Sequence, residues 1–375
     1  MVDTIKLLLK IDDPMVLSKG AFTPLSVKQL MRAGGMTRTF LNPSSKYASH
    51  LGKYMPRLTL HRRAAKTIGV VYQLAVEFSA PKLLYGNNFS EVEEEDFIMI
   101  LMVLRDRIHE LTSYKFTLSE LAAADVGSWH PCKNVIFRGY ISAQTILGTV
   151  PKLDVSRLYD VQRTNFRDGH VVHIHCNSVD VAFYDKLADL RKAAVSDKRA
   201  FEDDSAIQLR HLASLEKSGV TILRQEVRLG GRQAIKRAFS DLDSWTFESL
   251  YKAELCQATL LKHWHRLSNS VDMLSLDAAR PYELLQNYML DSPDASAKDA
   301  LAAIGSLLVC GQEGVLGLRN LIEPQYGSNV WYRIKKLVRN PSAHRFTHFQ
   351  HVQNTLETFK PLRMSDIKLF EDDSK

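Results

Sequence analysis

The sequence predicts an α+β fold, in which an antiparallel sheet flanked by helices is followed by a helical C-terminal region. Short segments rich in Val, Ile, Tyr and Phe recur between residues 4 and 229, separated by turn signals. From about residue 244 the apolar residues recur at helical spacing instead. We therefore place a boundary near residues 240–245, between a domain of residues 1–242 and a mainly helical region of residues 243–375.

Size and charge narrow the class of protein. The 375 residues allow a sizeable core, and 45% hydrophobic with 24% charged residues is ordinary for a globular protein. The net charge of +7 favours a polyanionic partner. No run of eighteen apolar residues is present, and charge interrupts the short apolar N-terminal stretch, so we expect no membrane span and no signal peptide. The four scattered cysteines form no CxxC pair, which argues against a zinc knuckle and favours free thiols in the cytoplasm.

The first third of the chain reads as strands followed by a helix. Residues 4–10 form a first strand, and the basic residues 26–65 favour loops and a hairpin. Residues 67–79 are a strong strand candidate. Ser90, followed by a cluster of acids, predicts the start of a helix that continues over residues 97–111, because a hydroxyl can cap and carboxylates suit the positive end.

The middle of the chain alternates between the two kinds of element. Residues 118–129 begin as a helix and end as a strand, and residues 135–150 read as a helix with glycine breaks. Residues 196–215 read as a polar helix or loop. Residues 220–229 are a clear strand closed by two glycines, and residues 233–239 start a basic helix.

One tyrosine lies where a strand gives way to a helix. Residues 170–175 alternate His with apolar residues, which places every second side chain on one face of a strand. After a turn at Asn177, a second apolar run ends in Tyr184, with Lys186 two residues later and helical spacing beyond. A tyrosine hydroxyl activated by a base, a cation or a metal can act as a covalent nucleophile. The alternative is an ordinary aromatic residue at a strand end.

Five segments carry a resemblance to a known family, in the same order along the chain. They are MVDTIKLLLK, LAVEFSAPKLLYGNN, VDVAFYDKLADL, ILRQEVRLGGRQAIK and SWTFESLYKAE. Together they resemble the gene II replication initiators of filamentous phages, which are relatives of the rolling-circle plasmid initiators. The chain departs from the family pattern before Asp125, where Ala123 and Ala124 stand in place of an arginine and a hydrophobic residue.

The resemblance implies a DNA-nicking endonuclease and strand transferase that initiates rolling-circle replication of a phage or plasmid. The family's tyrosine becomes linked to a 5′ phosphate of the replication origin and frees a 3′ hydroxyl; Tyr184 is the matching residue here. Lys186 would hold the phosphate or stabilise the tyrosinate, unless it is a solvated lysine at a helix start. The resemblance also implies a Rep/relaxase-like sheet, with two related halves side by side as one arrangement. The implied partners are origin DNA, a host polymerase and a host helicase.

Such chemistry is assisted by a divalent cation on the phosphate. Mg²⁺ and Mn²⁺ prefer oxygen ligands. Three carboxylates in apolar strands are candidates because an unpaired buried carboxylate is costly: Glu77, Asp125 and Glu226. Alternatively each faces solvent or pairs with an arginine. The rival ligands are His173 and His175, which share one strand face as in the HUH class of nickases; partly buried strand histidines are the other interpretation.

Two basic clusters are candidates for DNA contact. The first follows the strand that carries Glu226 and contains Arg224, Arg228, Arg232, Lys236 and Arg237. The second lies within residues 331–345 and includes Arg333, Lys335 and Lys336, with Trp331, Tyr332 and Phe346 as aromatics able to stack on bases. A solvated basic face is the alternative for the second cluster. Its Tyr332 also has the Tyr-x-x-Lys spacing of other nickases.

Two further functions remain open from the sequence. A non-catalytic origin-binding regulator would keep the basic clusters and tolerate Tyr184→Phe. A relaxase for plasmid mobilisation would share the chemistry and serve DNA transfer.

Overall fold

The computed structural model describes most of the chain. The described residues are 1–12, 36–41, 53–65, 69–138, 142–153, 155, 159, 161–167, 170–195, 206–268, 285–286, 288–289, 292–337 and 347–363. The predicted frayed tail at residues 370–375 lies outside them.

The strands form one antiparallel sheet. In the described residues they are β1 (Val2–Ile11), β2 (Met36–Leu41), β3 (Arg57–Ala65), β4 (Gly69–Ser79), β5 (Asp125–Phe137), β6 (Val161–Arg167), β7 (Val171–Cys176), β8 (Asp180–Asp185) and β9 (Thr221–Arg228). The nine strands are ordered β2-β3-β4-β1-β5-β9-β8-β7-β6. Every strand pair is antiparallel. The predicted α+β class with an antiparallel sheet is therefore confirmed.

Helices connect the strands and make up the C-terminal region. They are α1 (Ala80–Tyr85), α2 (Phe97–Thr112), α3 (Leu118–Ala122), α4 (Ala143–Thr149), α5 (Lys186–Val195), α6 (Ala206–Lys217), α7 (Arg232–Ala238), α8 (Phe247–Leu250), α9 (Ala253–Ser268), α10 (Ala297–Tyr326), α11 (Ser328–Leu337) and α12 (Thr347–Thr358).

The sheet has a centre and two wings. Two three-stranded meanders, β2-β3-β4 and β6-β7-β8, form the wings, and β1, β5 and β9 form the centre. Each meander runs into helices that lead back to a central strand: β4 continues through α1, α2 and α3 to β5, and β8 continues through α5 and α6 to β9. This arrangement places the end of β8 beside the central strand β9.

The apolar side chains of the sheet lie on one of its faces. In β1 and β5, Ile5 and Trp129 are buried with the helices of the first wing. In the second wing, Phe183 packs 6.2 Å from Trp264 of α9, measured between ring centroids. The C-terminal helices therefore share a core with the sheet, on its apolar face.

The opposite face of the sheet is polar. In β9 the residues that alternate onto it are Arg224, Glu226 and Arg228, and their neighbours across β8 are Tyr184, Ala182 and Asp180. Helices α5 and α6 cover one end of this face through a small cluster that includes Leu187, Leu215 and Ile222. The polar face is consequently buried at that end and partly exposed towards Arg228, whose side chain is 34% accessible.

Helix α10 differs from the expectation that no segment is suited to a membrane. By length and composition it is apolar enough to cross one, although an apolar core helix has the same properties. It is broken at Gly314, where φ is 78° and a Cβ would lie 2.8 Å from the carbonyl oxygen of Lys152. Its buried side, which includes Leu307 and Cys310, packs into the core shared with Trp264.

Several predicted elements need correction. Helix α2 begins at Phe97, and Ser90 does not cap it; Glu91 from the acidic cluster is instead buried against Lys133 at 2.5 Å. Strand β5 continues to Phe137, so the predicted helix over residues 135–150 is reduced to α4. Strand β6 escaped prediction because its polar sequence, VQRTNFR, has no apolar alternation.

Candidate functional site

Tyr184 lies one residue before the end of β8, as the sequence predicts, and its hydroxyl points to the next strand. The hydroxyl donates a hydrogen bond to Glu226 Oε2 at 3.0 Å. Tyr184 is 9% exposed and Glu226 is 3% exposed. Burial, and secondarily the charge of Glu226, raises the pKa of Tyr184 well above its ordinary value. The hydroxyl is therefore protonated at neutral pH, and Glu226 is placed to accept its proton.

Arg228 and His130 hold Glu226 in its charged form. Arg228 donates from Nε at 2.8 Å and from Nη2 at 3.1 Å, and His130 Nδ1 lies 3.5 Å from Oε1. Burial alone would raise the pKa of Glu226, but Arg228 and His130 outweigh burial and hold this pKa well below its ordinary value. Glu226 is thus an ionised acceptor in a buried setting.

Arg224 is buried at the centre of the sheet and is 1% exposed. Its Nε donates to Asn134 Oδ1 at 2.8 Å, its Nη1 to Asp3 Oδ2 at 3.1 Å, and its Nη2 to the carbonyl of Asn88. These bonds tie β9 to β5 and to the first strand. Contact between Arg224 and DNA, as predicted from the sequence, is corrected: this side chain holds the sheet together.

Lys186 is the first residue of α5, and it is buried rather than solvated. Its Nζ lies 3.8 Å from Asp189 Oδ2 and 5.8 Å from the centre of the Tyr184 ring. Burial, followed by the charge of Arg224, lowers the pKa of Lys186 to about 7. Near neutral pH this amine can gain or lose a proton, a property that the sequence did not reveal.

Asp185 fixes the corner between Tyr184 and Lys186. Its Oδ1 accepts hydrogen bonds from the backbone N–H groups of Leu187 at 2.9 Å and Ala188 at 3.1 Å. Its Oδ2 accepts from Gln144 at 3.0 Å. A side chain that accepts from the first free N–H groups stabilises a helix start. Sequence reasoning missed this role, although an Asp before a helical repeat is the usual signal for it.

A histidine cluster lies beside the tyrosine on the same face. His173 and His175 have ring centroids 3.9 Å apart. Across the β7–β8 hairpin, Asp180 Oδ1 lies 3.2 Å from His175 Nδ1, and Asp180 Oδ2 lies 3.9 Å from His173 Nε2. One potential ligand atom from each of the three residues lies within 4.8 Å of the others. Among the described residues, no other group of three or more His, Cys, Asp or Glu side chains has potential ligand atoms this close together.

The donor set of the cluster fits a divalent metal. His173 Nε2 is buried and has no hydrogen-bond partner among the described residues, so a ligand bond would satisfy it. Burial, then Arg228 and His175, lowers the pKa of His173 to about 4, which keeps the imidazole neutral as a metal ligand requires. Two imidazoles and one carboxylate suit Mn²⁺ or a softer ion better than Mg²⁺, which favours oxygen ligands.

Strand register brings the cluster next to the tyrosine. His173 pairs with Ala182, which pairs with Glu226, and His175 pairs with Asp180, which pairs with Arg228. Neighbouring strands lie about 4.8 Å apart, so the cluster and the Tyr184–Glu226 pair lie within roughly 10 Å across three adjacent strands.

The three predicted carboxylate ligands do not meet. Glu77 pairs with Lys6 at 2.8 Å in the other wing, and Asp125 pairs with Arg232 at 2.9 Å. Glu226 faces Cys132 across β5, seven residues from Asp125 and so roughly 23 Å away along the strand. One ion cannot be shared by all three, and only Glu226 belongs to the candidate site. The sequence pattern of an acidic residue in an apolar strand identified side chains on the polar face of the sheet. It did not show where on that face each carboxylate lies.

Two of the remaining basic residues of the first cluster have partners outside the candidate site. Arg232 is paired with Asp125, and Lys236 lies 4.4 Å from the centre of the Trp245 ring. Arg228 is engaged by Glu226 and stays partly exposed. Of the first cluster, Arg228 is therefore the cation that joins the candidate site to the surface.

The second basic cluster lies on α11, apart from the sheet face. Arg333 pairs with Asp299 at 3.3 Å, and Lys335 and Lys336 are exposed. Trp331 is 1% exposed and packs in the core, so its predicted stacking on bases is corrected; Tyr332 is 58% exposed. Residues 338–346, including Phe346, lie outside the described residues.

No family model, curated protein or solved structure matches the chain.

Proposed function

We propose that the chain is a DNA-nicking endonuclease and strand transferase that initiates rolling-circle replication of a phage or plasmid, with Tyr184 as its nucleophile. The observation that carries the proposal is the placement, on one polar sheet face, of a hydrogen-bonded Tyr184–Glu226 pair beside a His173, His175 and Asp180 cluster suited to a metal. In this proposal the fold is Rep/relaxase-like, and the two meander wings correspond to two related halves.

The chain's own residues supply the steps of nicking. Tyr184 Oη attacks the phosphorus while its proton passes to Glu226, which accepts the hydroxyl hydrogen bond at 3.0 Å. The new bond links the tyrosine oxygen to the 5′ phosphate, the bond from phosphorus to the 3′ oxygen breaks, and that oxygen takes a proton from solvent. His173, His175 and Asp180 would hold a divalent cation, which would supply Lewis-acid polarisation of the phosphate. Rejoining is the reverse sequence, with the 3′ hydroxyl as the attacking group.

Burial sets a condition on this chemistry. Because Tyr184 is 9% exposed, the DNA phosphate reaches it only after the corner at Asp185 shifts and opens the Tyr184–Glu226 pair to the surface. Arg228 lies between the buried pair and the exposed edge. When DNA binds, its guanidinium group can leave Glu226 and bind the phosphate instead. The described arrangement is the resting state of the proposed enzyme.

The polar face offers positive charge for a DNA strand. Among the described residues, the partly or fully exposed Lys and Arg side chains that alternate onto this face include Lys6, Lys10, Arg57, Arg63 and Arg228. With a net charge of +7, such a face would bind DNA with a strong dependence on salt. Origin DNA in the cytoplasm, a host polymerase that extends the freed 3′ hydroxyl and a host helicase are the proposed partners.

Nicking of a supercoiled plasmid that carries the replication origin, with Mn²⁺ or Mg²⁺ present, tests the proposal. The wild type should give nicked DNA with protein attached to the 5′ end, and Tyr184→Phe should give none. Tyr332→Phe is the matched control because Tyr332 is the exposed rival on α11. Equal nicking by wild type and Tyr184→Phe would overturn the assignment.

A non-catalytic origin-binding regulator is the second candidate. The burial of Tyr184, and the engagement of Glu226 by Arg228 and His130, favour it, since both groups already have partners in the fold. The regulator would bind origin DNA and show no nicking with any metal. A mobilisation relaxase would share the nicking step and differ in cutting a transfer origin.

A further inference from the structure

A pocket opens beside the candidate site, at the exposed edge of β8 and β9. Its volume is ≈ 380 Å³, which is in the range of small-molecule sites. Its lining comes from the β7–β8 turn on one side and from the segment that follows β9 on the other, and it includes Asn177, Asp180, Arg228, Gly230, Gln233 and Arg237.

The lining has the chemistry of an anion site with additional hydrogen-bonding groups. Arg228 and Arg237 contribute two guanidinium groups, and Arg237 is exposed. Asn177 and Gln233 contribute side-chain amides, each with donors and an acceptor. A Cβ added at Gly230 would meet nothing within 4 Å, so this part of the wall is open backbone.

The pocket is continuous with the histidine cluster. Asp180 belongs to both, and Arg228 both lines the pocket and binds Glu226. A ligand in the pocket would therefore lie next to a phosphate held at the cluster. The guanidinium groups suit a phosphate, and the amides suit the hydrogen-bonding edge of an unpaired base.

We infer that this pocket holds one nucleotide of the single strand, next to the phosphate that is cut. Its phosphate contacts Arg237 and Arg228, and its base edge contacts Asn177 and Gln233. The inference rests on the proposed function, because it assigns the substrate's neighbouring nucleotide to that same site.

Mononucleotide binding tests the inference without requiring any nicking. The probes are the four deoxynucleoside 5′-monophosphates and inorganic phosphate, measured by calorimetry. Cys176 provides a second readout, because it lines the pocket and is partly exposed while Cys132, Cys256 and Cys310 are buried. A bound nucleotide should slow alkylation of Cys176 by a thiol reagent.

One variant removes a positive charge from the pocket, and the other adds a side chain to its wall. Arg237→Ala should weaken nucleotide binding about tenfold, since a hydrogen bond to a charged group contributes about 1.5 kcal/mol or more. Gly230→Gln should weaken it by placing a side chain in space that the nucleotide would occupy. The controls are Lys217→Ala, on exposed surface at the opposite end of β9, and Gly305→Gln, at an open position of α10; both should bind like the wild type.

The outcomes separate this inference from the proposed function. Binding and Cys176 protection by nucleotides, lost in the two pocket variants, support the inference even if Tyr184→Phe still nicks DNA. Phosphate binding as tightly as every nucleotide, or nucleotide binding that neither pocket variant changes, overturns it even if Tyr184→Phe abolishes nicking.

Discussion

The hydroxyl of Tyr184, the penultimate residue of β8, donates to Glu226 Oε2 of the neighbouring strand β9 at 3.0 Å. This one bond joins the proposed nucleophile to an ionised base whose other partners are Arg228 and His130. The proposed roles of Tyr184 and Glu226 can therefore be tested by substituting each residue.

Glu226→Gln should slow nicking by about 10²-fold or more, because the amide keeps a hydrogen-bond acceptor but cannot take the proton of Tyr184. Single-turnover nicking at saturating DNA measures the effect, and DNA affinity should change little. Glu248→Gln, on the exposed first turn of α8, is the control. A Glu226→Gln rate equal to that of wild type would show that Glu226 only supports the fold.

Lys186 should make the stability of the fold depend on pH. Its pKa in the folded protein is about 7, below its ordinary value of 10.5, so between these values the unfolded chain binds more protons. The free energy of unfolding therefore gains a contribution that rises with pH from about 7 to 10.5. Lys186→Met should remove this contribution and be more stable than wild type at pH 6.

Urea unfolding at pH 6, 7, 8 and 9 measures the difference between the two proteins, which should shrink as pH rises. A difference that is constant over this range would show that Lys186 keeps its ordinary pKa in the folded protein.

The histidine cluster should bind one Mn²⁺ per chain. His173→Ala should weaken this binding roughly tenfold or more, since one of three protein ligands is lost. His109→Ala, at an exposed position of α2, is the control. Titration calorimetry and the metal-dependent rise in melting temperature report binding independently of nicking. Unchanged Mn²⁺ affinity in His173→Ala would place the metal elsewhere.

Glu91 should stabilise the fold far more than its neighbour Glu94. Glu91 and Lys133 form an ion pair with both side chains 2% exposed or less, and Glu91 also accepts from the backbone of Asn134 at 2.6 Å and Leu362 at 3.0 Å. Glu91→Ala leaves the Lys133 charge buried and unpaired, which costs about 3–5 kcal/mol. Glu94 pairs with the exposed Lys252, so Glu94→Ala should cost about 1 kcal/mol or less.

Chemical denaturation of the two variants at pH 7 measures this contrast. Burial opposes the charge of Glu91, but Lys133 and the hydrogen bonds lower its pKa, so its contribution is present above the ordinary pKa and is lost as pH falls. Equal losses of stability in the two variants would contradict the buried ion pair.

Local sequence patterns predicted much of the fold, because strand alternation and helix starts depend on neighbours within a few residues. They identified β7, β8 and β9, and placed Tyr184 at a strand end before a helix. They could not assign Arg224 to the interior, because its partners Asn134 and Asp3 are 90 and 221 residues away in sequence. For the same reason, local patterns predicted neither the burial of Lys186 nor the distance between Glu77 and Glu226.

Asp180 is a case where a signal was present. The turn at Asn177 brings Asp180 opposite His175 in a short hairpin, so strand register alone would have added a carboxylate to the two histidines.

The most direct measurement is the site of the covalent bond between protein and DNA. After nicking of origin DNA with Mn²⁺, the adduct is digested with protease and nuclease, and mass spectrometry locates the nucleotide on a peptide. We expect a 5′-phosphate linkage on Tyr184. An adduct on Tyr332, or nicked DNA with no protein attached, would contradict it.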